Sequence, residues 1–196
     1  MRAAVYWLLP LAVTLAWVAP ARAEPTEIIS LRVDRGADGL LLSAQVKFDM
    51  PQPVDAALSK GIPMIFVAEA KLLRERWYWY DKEVASVTRH MRLSYQPLTR
   101  RWRLLVSAPP IGQTGLALGQ NFDTRDEALA VVQRISGWRI ADATEIDSDQ
   151  RYFVTLRFRL DVSQLPRPFQ IGVVGHADWS IGATRSVPVG DEPPAR

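Results

Sequence analysis

The chain has 196 residues, with 24 Lys+Arg against 21 Asp+Glu, two His, no Cys and 48% apolar residues. This composition excludes a disordered tail, a collagen-like fibre and a disulfide-stapled mini-protein, and it leaves no thiol for nucleophilic, zinc or iron–sulfur chemistry. The length suits one domain with a real hydrophobic core, and a formal charge of +3 lacks the clustered basic excess of a nucleic-acid binder.

Met1-Arg2 opens a run, Ala3–Val18, that carries no charge and is almost wholly apolar. Ala21-Arg22-Ala23 follows and fits the small-x-small rule of signal peptidase, so residues 1–23 read as a signal peptide cleaved before Glu24. The alternative is an uncleaved inner-membrane anchor facing the periplasm, since a spanning helix needs roughly 17–25 apolar residues. Pro10 inside the run and the immediate Ala-x-Ala site favour cleavage. The expected product is periplasmic, and losing Arg2 and Arg22 lowers its formal charge from +3 to +1. Arginine supplies all but Lys47, Lys60, Lys71 and Lys82 of the cations, as a GC-rich genome would.

Thr26–Asp34 and Leu40–Asp49 read as two strands joined by the glycine-bearing connection 35–39. In the second, Leu42, Ala44, Val46 and Phe48 alternate with Ser43, Gln45 and Lys47, so one face is buried and one wet. Val54–Ser59 reads as one or two helical turns closed by Gly61. Ile62–Leu73 is apolar on both parities, which suits a central strand covered on both faces. Beyond the aromatic run 77–80, Ala85, Val87, Met91, Leu93 and Tyr95 share one parity with Arg89 as the exception. Ser86, Thr88, His90, Arg92 and Ser94 take the other, which predicts an exposed His90.

Pro97-Leu98-Thr99 turns the chain into Arg101–Val106, where Trp102, Leu104 and Val106 alternate with Arg101 and Arg103. Residues 108–121 read as loop. Asp123 or Thr124 then caps a helix to about Ser136, with Asp126 and Glu127 in its first turn and Gly137 as its C-cap. Arg151–Asp161 is the clearest strand, with Tyr152, Val154, Leu156, Phe158 and Leu160 on one side and Thr155, Arg157 and Arg159 on the other. Phe169–Gly175 reads as a final or edge strand, and residues 187–196 as a disordered tail. About seven strands in hairpin order with two short helices, in a single β-rich domain over 24–186, predict a mainly β, antiparallel β-sandwich. The alternative is an α+β fold with helices packed on one curved antiparallel sheet.

Gly61-Ile62-Pro63, Arg76-Trp77-Tyr78-Trp79-Tyr80, Leu93-Ser94-Tyr95-Gln96-Pro97-Leu98-Thr99 and the stretch Leu160–Gln170 carry a resemblance, as does the helix start at Phe122-Asp123 with Glu127-Ala128-Leu129. With these motifs the chain resembles the bacterial domain-of-unknown-function family 4390 over roughly the whole mature region. The resemblance transfers no activity and no catalytic residues. Genes of the family often neighbour a nitrogen-regulation-type membrane sensor kinase and its response regulator, which implies such a kinase, or another envelope protein, as partner.

Two features could meet a ligand. In an extended strand Trp77 and Trp79 share one face and Tyr78 and Tyr80 the other, with Arg74 and Arg76 beside them for cation–π stacking. Such a run is either a platform for glycan or lipid headgroup, or core packing with tyrosine hydroxyls at the rim. The second feature is electrostatic. Residues 84–122 hold no Asp or Glu but carry Arg89, Arg92, Arg100, Arg101 and Arg103, while residues 123–149 hold seven acids against three Arg. Either Arg92, Arg101 and Arg103 form a basic stripe for anionic lipid, glycan or a partner protein, or the two segments lie together and neutralise one another.

Support for catalysis is thin. His90 and His176 are far apart and no H-E-x-x-H spacing occurs, while His176 and Asp178 with Ser163 or Ser180 lack a G-x-S-x-G elbow. Gly112, Gly115 and Gly119 lack the ending of a phosphate loop, and Asp147-Ser148-Asp149 lacks the later acid and glycine of a calcium loop. No cofactor or metal is implied. The sequence therefore favours an exported non-enzymatic binding module. The rival is an envelope hydrolase or glycan-processing enzyme using carboxylates such as Glu69, Asp81 or Asp161, which would need paired acids in one cleft. A structural factor binding anionic lipid is the third reading.

Overall fold

A computed structural model describes residues 25–76, 80–110, 117–147, 149–165 and 179–190. They form nine strands and two α-helices: β1 (Glu27–Gly36), β2 (Gly39–Lys47), α1 (Gln52–Ser59), β3 (Met64–Arg74), β4 (Lys82–Gln96), β5 (Arg101–Ser107), β6 (Leu118–Phe122), α2 (Arg125–Gln133), β7 (Arg134–Asp142), β8 (Tyr152–Leu160) and β9 (Gly182–Pro188). The strands make two antiparallel sheets, ordered β1-β2-β7 and β6-β5-β4-β3-β8-β9. The fold is mainly β, as the alternation predicted.

The sheets face each other because each strand presents its apolar parity inward. Leu40, Leu42, Ala44 and Val46 of β2 share one core with Phe66, Ala68, Ala70 and Leu72 of β3, and with Val154, Leu156 and Phe158 of β8. Phe48, just past β2, stacks on Phe66 and Phe158 with centroids 5.6 and 5.7 Å away, so three rings join the chain leaving β2 to the six-stranded sheet. β3 is buried at Ile65 and Val67 on its other parity too, as its unbroken apolar run predicted for a strand flanked by β4 and β8.

The helices stand where the chain changes sheet. α1 links β2 to β3, and α2 links β6 to β7. Pro51 and Pro53 start α1 without a side-chain cap. Thr124 caps α2 in a reciprocal box, accepting from the Glu127 N–H at 3.2 Å while its own N–H donates to the Glu127 carboxylate. Ala128, Leu129 and Val132 of α2 join the core, and the Arg125 guanidinium lies 2.6 Å from Asp55 of α1.

Three strands escape the sequence reading. β6 lies in the stretch read as loop, because Leu118-Gly119-Gln120-Asn121-Phe122 shows no apolar alternation and is held by its ladder with β5. β7 begins where the helix was expected to continue. Ile135 matches the spacing of Val132 in a helix, yet Arg134 is already extended and Ile135 is buried as a strand residue. Gly137 has φ 56° and sits in the irregular stretch of the β2–β7 ladder instead of capping a helix. β9 overturns the tail boundary. Val187 pairs with Val154 and Pro188 with Phe153, so the domain runs past 186, while residues 191–196 and the expected strand 169–175 lie outside the described residues.

β9 was hidden because its inward parity carries Ala183, Arg185 and Val187 in place of a large apolar run. Arg185 ties the two sheets together: its Nη1 donates to the carbonyls of Ile28 at 2.7 Å and Ile29 at 3.0 Å, at the bulge of β1. Arg185→Met keeps the stem and loses both charged donors. It should lower the unfolding free energy by about 1.5 kcal/mol, read as a shifted urea midpoint.

Candidate functional site

The outer face of the six-stranded sheet gathers the arginines. In the β4–β5 ladder Arg103 lies opposite Ser94, Arg92 opposite Leu105 and Arg101 opposite Gln96. Side chains two residues apart share a face, so Arg92, Arg101 and Arg103 project together, Arg92 and Arg103 as diagonal neighbours roughly 7–8 Å apart. The β3 ladders carry the same face across to β8, where Arg159 lies opposite Val67 and Arg157 opposite Glu69. Arg157 and Arg159 were legible as the polar parity of their strand, but only the pairing of β8 with β3 puts them on the arginine face.

Charge pairing on this face is uneven. Arg101 lies 3.2 Å from Asp123 and Arg159 lies 3.5 Å from Asp161. Lys71 is 2.9 Å from Glu83 and 3.5 Å from Glu69, and the Glu83 contact foremost raises its pKa. Among the described residues Arg92, Arg103 and Arg157 have no ion-pair partner. Mutual neutralisation by residues 123–149 therefore reaches Arg101 and not its two neighbours. The other arginines of the acid-free segment leave the face. Arg100 sits in the turn with φ 53°, and Arg89 points inward, stacked 4.7 Å over the Trp138 ring. Burial pushes the Arg89 pKa down, and the aromatic face offsets part of that cost.

His90 is a correction. It shares the parity of Arg92 but is only 9% exposed, and its Nδ1 is hydrogen-bonded at 3.0 Å to the Ala108 carbonyl. Polar parity failed as a guide because the Ala108 carbonyl, just past the end of β5, meets the imidazole, a contact no local pattern encodes. The imidazole sits among buried Val67 and Ser107 at the centre of the face, as part of its structure.

The aromatic run falls elsewhere. β3 ends at Arg74 and β4 begins at Lys82, so Arg76 and Tyr80 lie in the hairpin connection and not in a strand. Arg76 is exposed and donates its backbone N–H to Asp81 at 3.4 Å, while Tyr80 is 87% exposed and no part of the core. Trp77, Tyr78 and Trp79 lie outside the described residues. Arg74 lies 3.7 Å from Asp147. A 700 Å³ cleft at the base of the hairpin is lined by Glu75, Arg76, Asp81 and Arg151 together with Tyr152 and Val189.

The carboxylates proposed for catalysis do not converge. Glu69 contacts Lys71 on β3 and Asp81 faces the cleft beside Arg76. Asp161 caps a short 3-10 turn at Val162–Gln164. Burial opposes its charge, but the Ser163 hydroxyl at 2.6 Å, the Gln164 amide at 2.9 Å, the Ser163 N–H and Arg159 outweigh that and hold its pKa below the ordinary carboxylate value. A carboxyl held ionised is the opposite of a general acid. Among the described residues no cluster of three or more His, Asp and Glu could hold a metal, and no helix is long and apolar enough to cross a membrane.

Compared with known proteins, the chain matches a family model, that of a domain of unknown function (DUF4390), over residues 23–187. No curated protein and no solved structure matches it.

Proposed function

The chain belongs to the DUF4390 family, whose description carries no activity, and from its own surface we propose that it is an exported, non-enzymatic binding module of the cell envelope. Its arginine-bearing sheet face engages an anionic surface on a protein partner, and the partner we propose is an inner-membrane sensor kinase met from the periplasmic side. The observation that carries this reading is the pair Arg92 and Arg103. They are neighbours on one face, without an acid partner among the described residues. Solvated guanidinium groups that the fold leaves unpaired cost it little and steer an acidic partner over distances near the Debye length.

Reversing all three charges (Arg92→Glu, Arg101→Glu, Arg103→Glu) should leave the fold intact by circular dichroism, because Arg101 and Arg103 are exposed and Arg92 is half-buried on the outer face. In-cell crosslinking of the tagged protein, recovered as a chain starting at Glu24, should capture the kinase with the native arginines and lose it at least tenfold with the reversed ones. The native complex should also weaken as salt rises. Equal capture by both proteins would sink the reading. Capture of neither, with arginine-dependent binding to anionic vesicles, would transfer the face to lipid. A variant that unfolds would make the arginines structural.

A further inference from the structure

Among the described residues the two sheets have four edges, and three of them are protected. β9 is tied to β1 through Arg185 and ends in Pro188, and β1 bears the bulge at Ile28–Ser30 that receives Arg185. β7 is irregular in register about Gly137 and carries Arg134 and Arg139 on its exposed surface. These are the devices by which sheets avoid edge-to-edge pairing: bulges, proline, charge and cover. β6 has none of them. Its sequence Leu118-Gly119-Gln120-Asn121-Phe122 contains no proline and no charge, its ladder with β5 is regular, and its first four residues are exposed.

Gly119 adds a second feature. A Cβ at that position would lie 3.8 Å from Nη2 and 4.0 Å from Nε of Arg103, so the unpaired guanidinium lies across the edge strand where the side chain is missing. An extended segment added beside β6 would meet backbone groups along the edge and a cation above them.

We propose that the free edge of β6 accepts an extended acidic segment of the partner protein as an added strand, with Arg103 pairing one of its carboxylates. This rests on the reading of the arginine face given above and names how the partner docks. Main-chain hydrogen bonds supply affinity in strand addition and alternate side chains supply selectivity, which here falls to Arg103 and its neighbour Arg101. A second copy of the chain is a poor occupant. β6 has no acid to offer, and pairing two β6 edges would bring two sets of Arg101 and Arg103 together.

The test uses the purified protein with a blocked eight-residue peptide of alternating Glu and Thr, and its Lys–Thr counterpart. Binding is followed by calorimetry and by amide hydrogen exchange of residues 118–122. The acidic peptide should bind and slow exchange of the outward amides of β6 at least tenfold, and the Lys–Thr peptide should do neither. Arg103→Gln should weaken binding about tenfold. Gly119→Glu should do the same by placing a carboxylate under the guanidinium, and Arg103→Gln remains informative if Gly119→Glu fails to fold. Arginine-dependent binding without β6 protection would overturn strand addition and leave the arginine face standing. Loss of kinase capture on charge reversal, with no peptide binding at all, would do likewise. Concentration-dependent dimers with protected β6 would assign the edge to a second copy and overturn the inference.

Discussion

Replacing Phe158 by alanine should cost about 3–5 kcal/mol of folding free energy, read as a large drop in the urea midpoint at an unchanged slope. Phe158 is fully buried on β8, with its ring 5.7 Å from Phe48 and 5.9 Å from Phe66. The truncation removes a large apolar side chain and leaves a cavity whose walls belong to two sheets and cannot collapse together. It also loses two offset-stacked contacts, each about 0.5–1.5 kcal/mol beyond area burial. Against a domain stability of about 5–15 kcal/mol, the variant keeps little in reserve. Phe158→Leu, which refills most of the space, should recover much of the loss. A cost for Phe158→Ala below about 1 kcal/mol would mean that the three rings do not hold the sheets together.

Gly39→Ala should be at least as damaging, although it adds one carbon. Gly39 closes the β1–β2 turn with φ 135°, a backbone conformation that a side chain rarely adopts. A Cβ there would overlap the Ala141 carbonyl oxygen and lie 2.9 Å from the Asp142 Cα, so the obstacle is backbone and cannot rotate aside. Relief requires β2 to move from β7, which breaks the three-stranded sheet at its centre and exposes Leu40 and Leu42. The expected result is a loss of cooperative unfolding, with dispersed amide signals collapsing. A two-state melt near the native midpoint would mean that the turn relaxes without cost. Ala at Gly36, where the nearest atoms lie 3.5 Å away, serves as the tolerated control.

The candidate site was half legible. Parity and the turn at Pro97–Arg100 put Arg92, Arg101 and Arg103 on one face, because hairpin register follows from local geometry. What parity could not tell was their pairing. Arg101 finds Asp123 because β6 runs antiparallel beside β5 and delivers Asp123 at its end, and β6 carries no apolar pattern to announce itself. His90 was misplaced for a similar reason, since its imidazole bonds the Ala108 carbonyl, 18 positions away, and not a group of its own strand. The free edge of β6 is invisible in the sequence, because an edge is defined by which strand fails to pair.

Strands with strong period-two patterns, β2, β5 and β8, and the doubly apolar β3 were readable from their residues, as were the two helices. In each of these strands a local periodicity coincides with the face that burial selects. The capping box at Thr124 and Glu127 was equally local. Assembly was not. That β3 lies between β4 and β8, that β9 is stapled to β1 by Arg185, and that Ile135 is a strand residue depend on partners as far as 157 positions away. Such contacts form only when the sheets close on one another. Side chains that mark them, an arginine on an inward parity or a glycine under another arginine, look like exceptions until the neighbouring strand is in place.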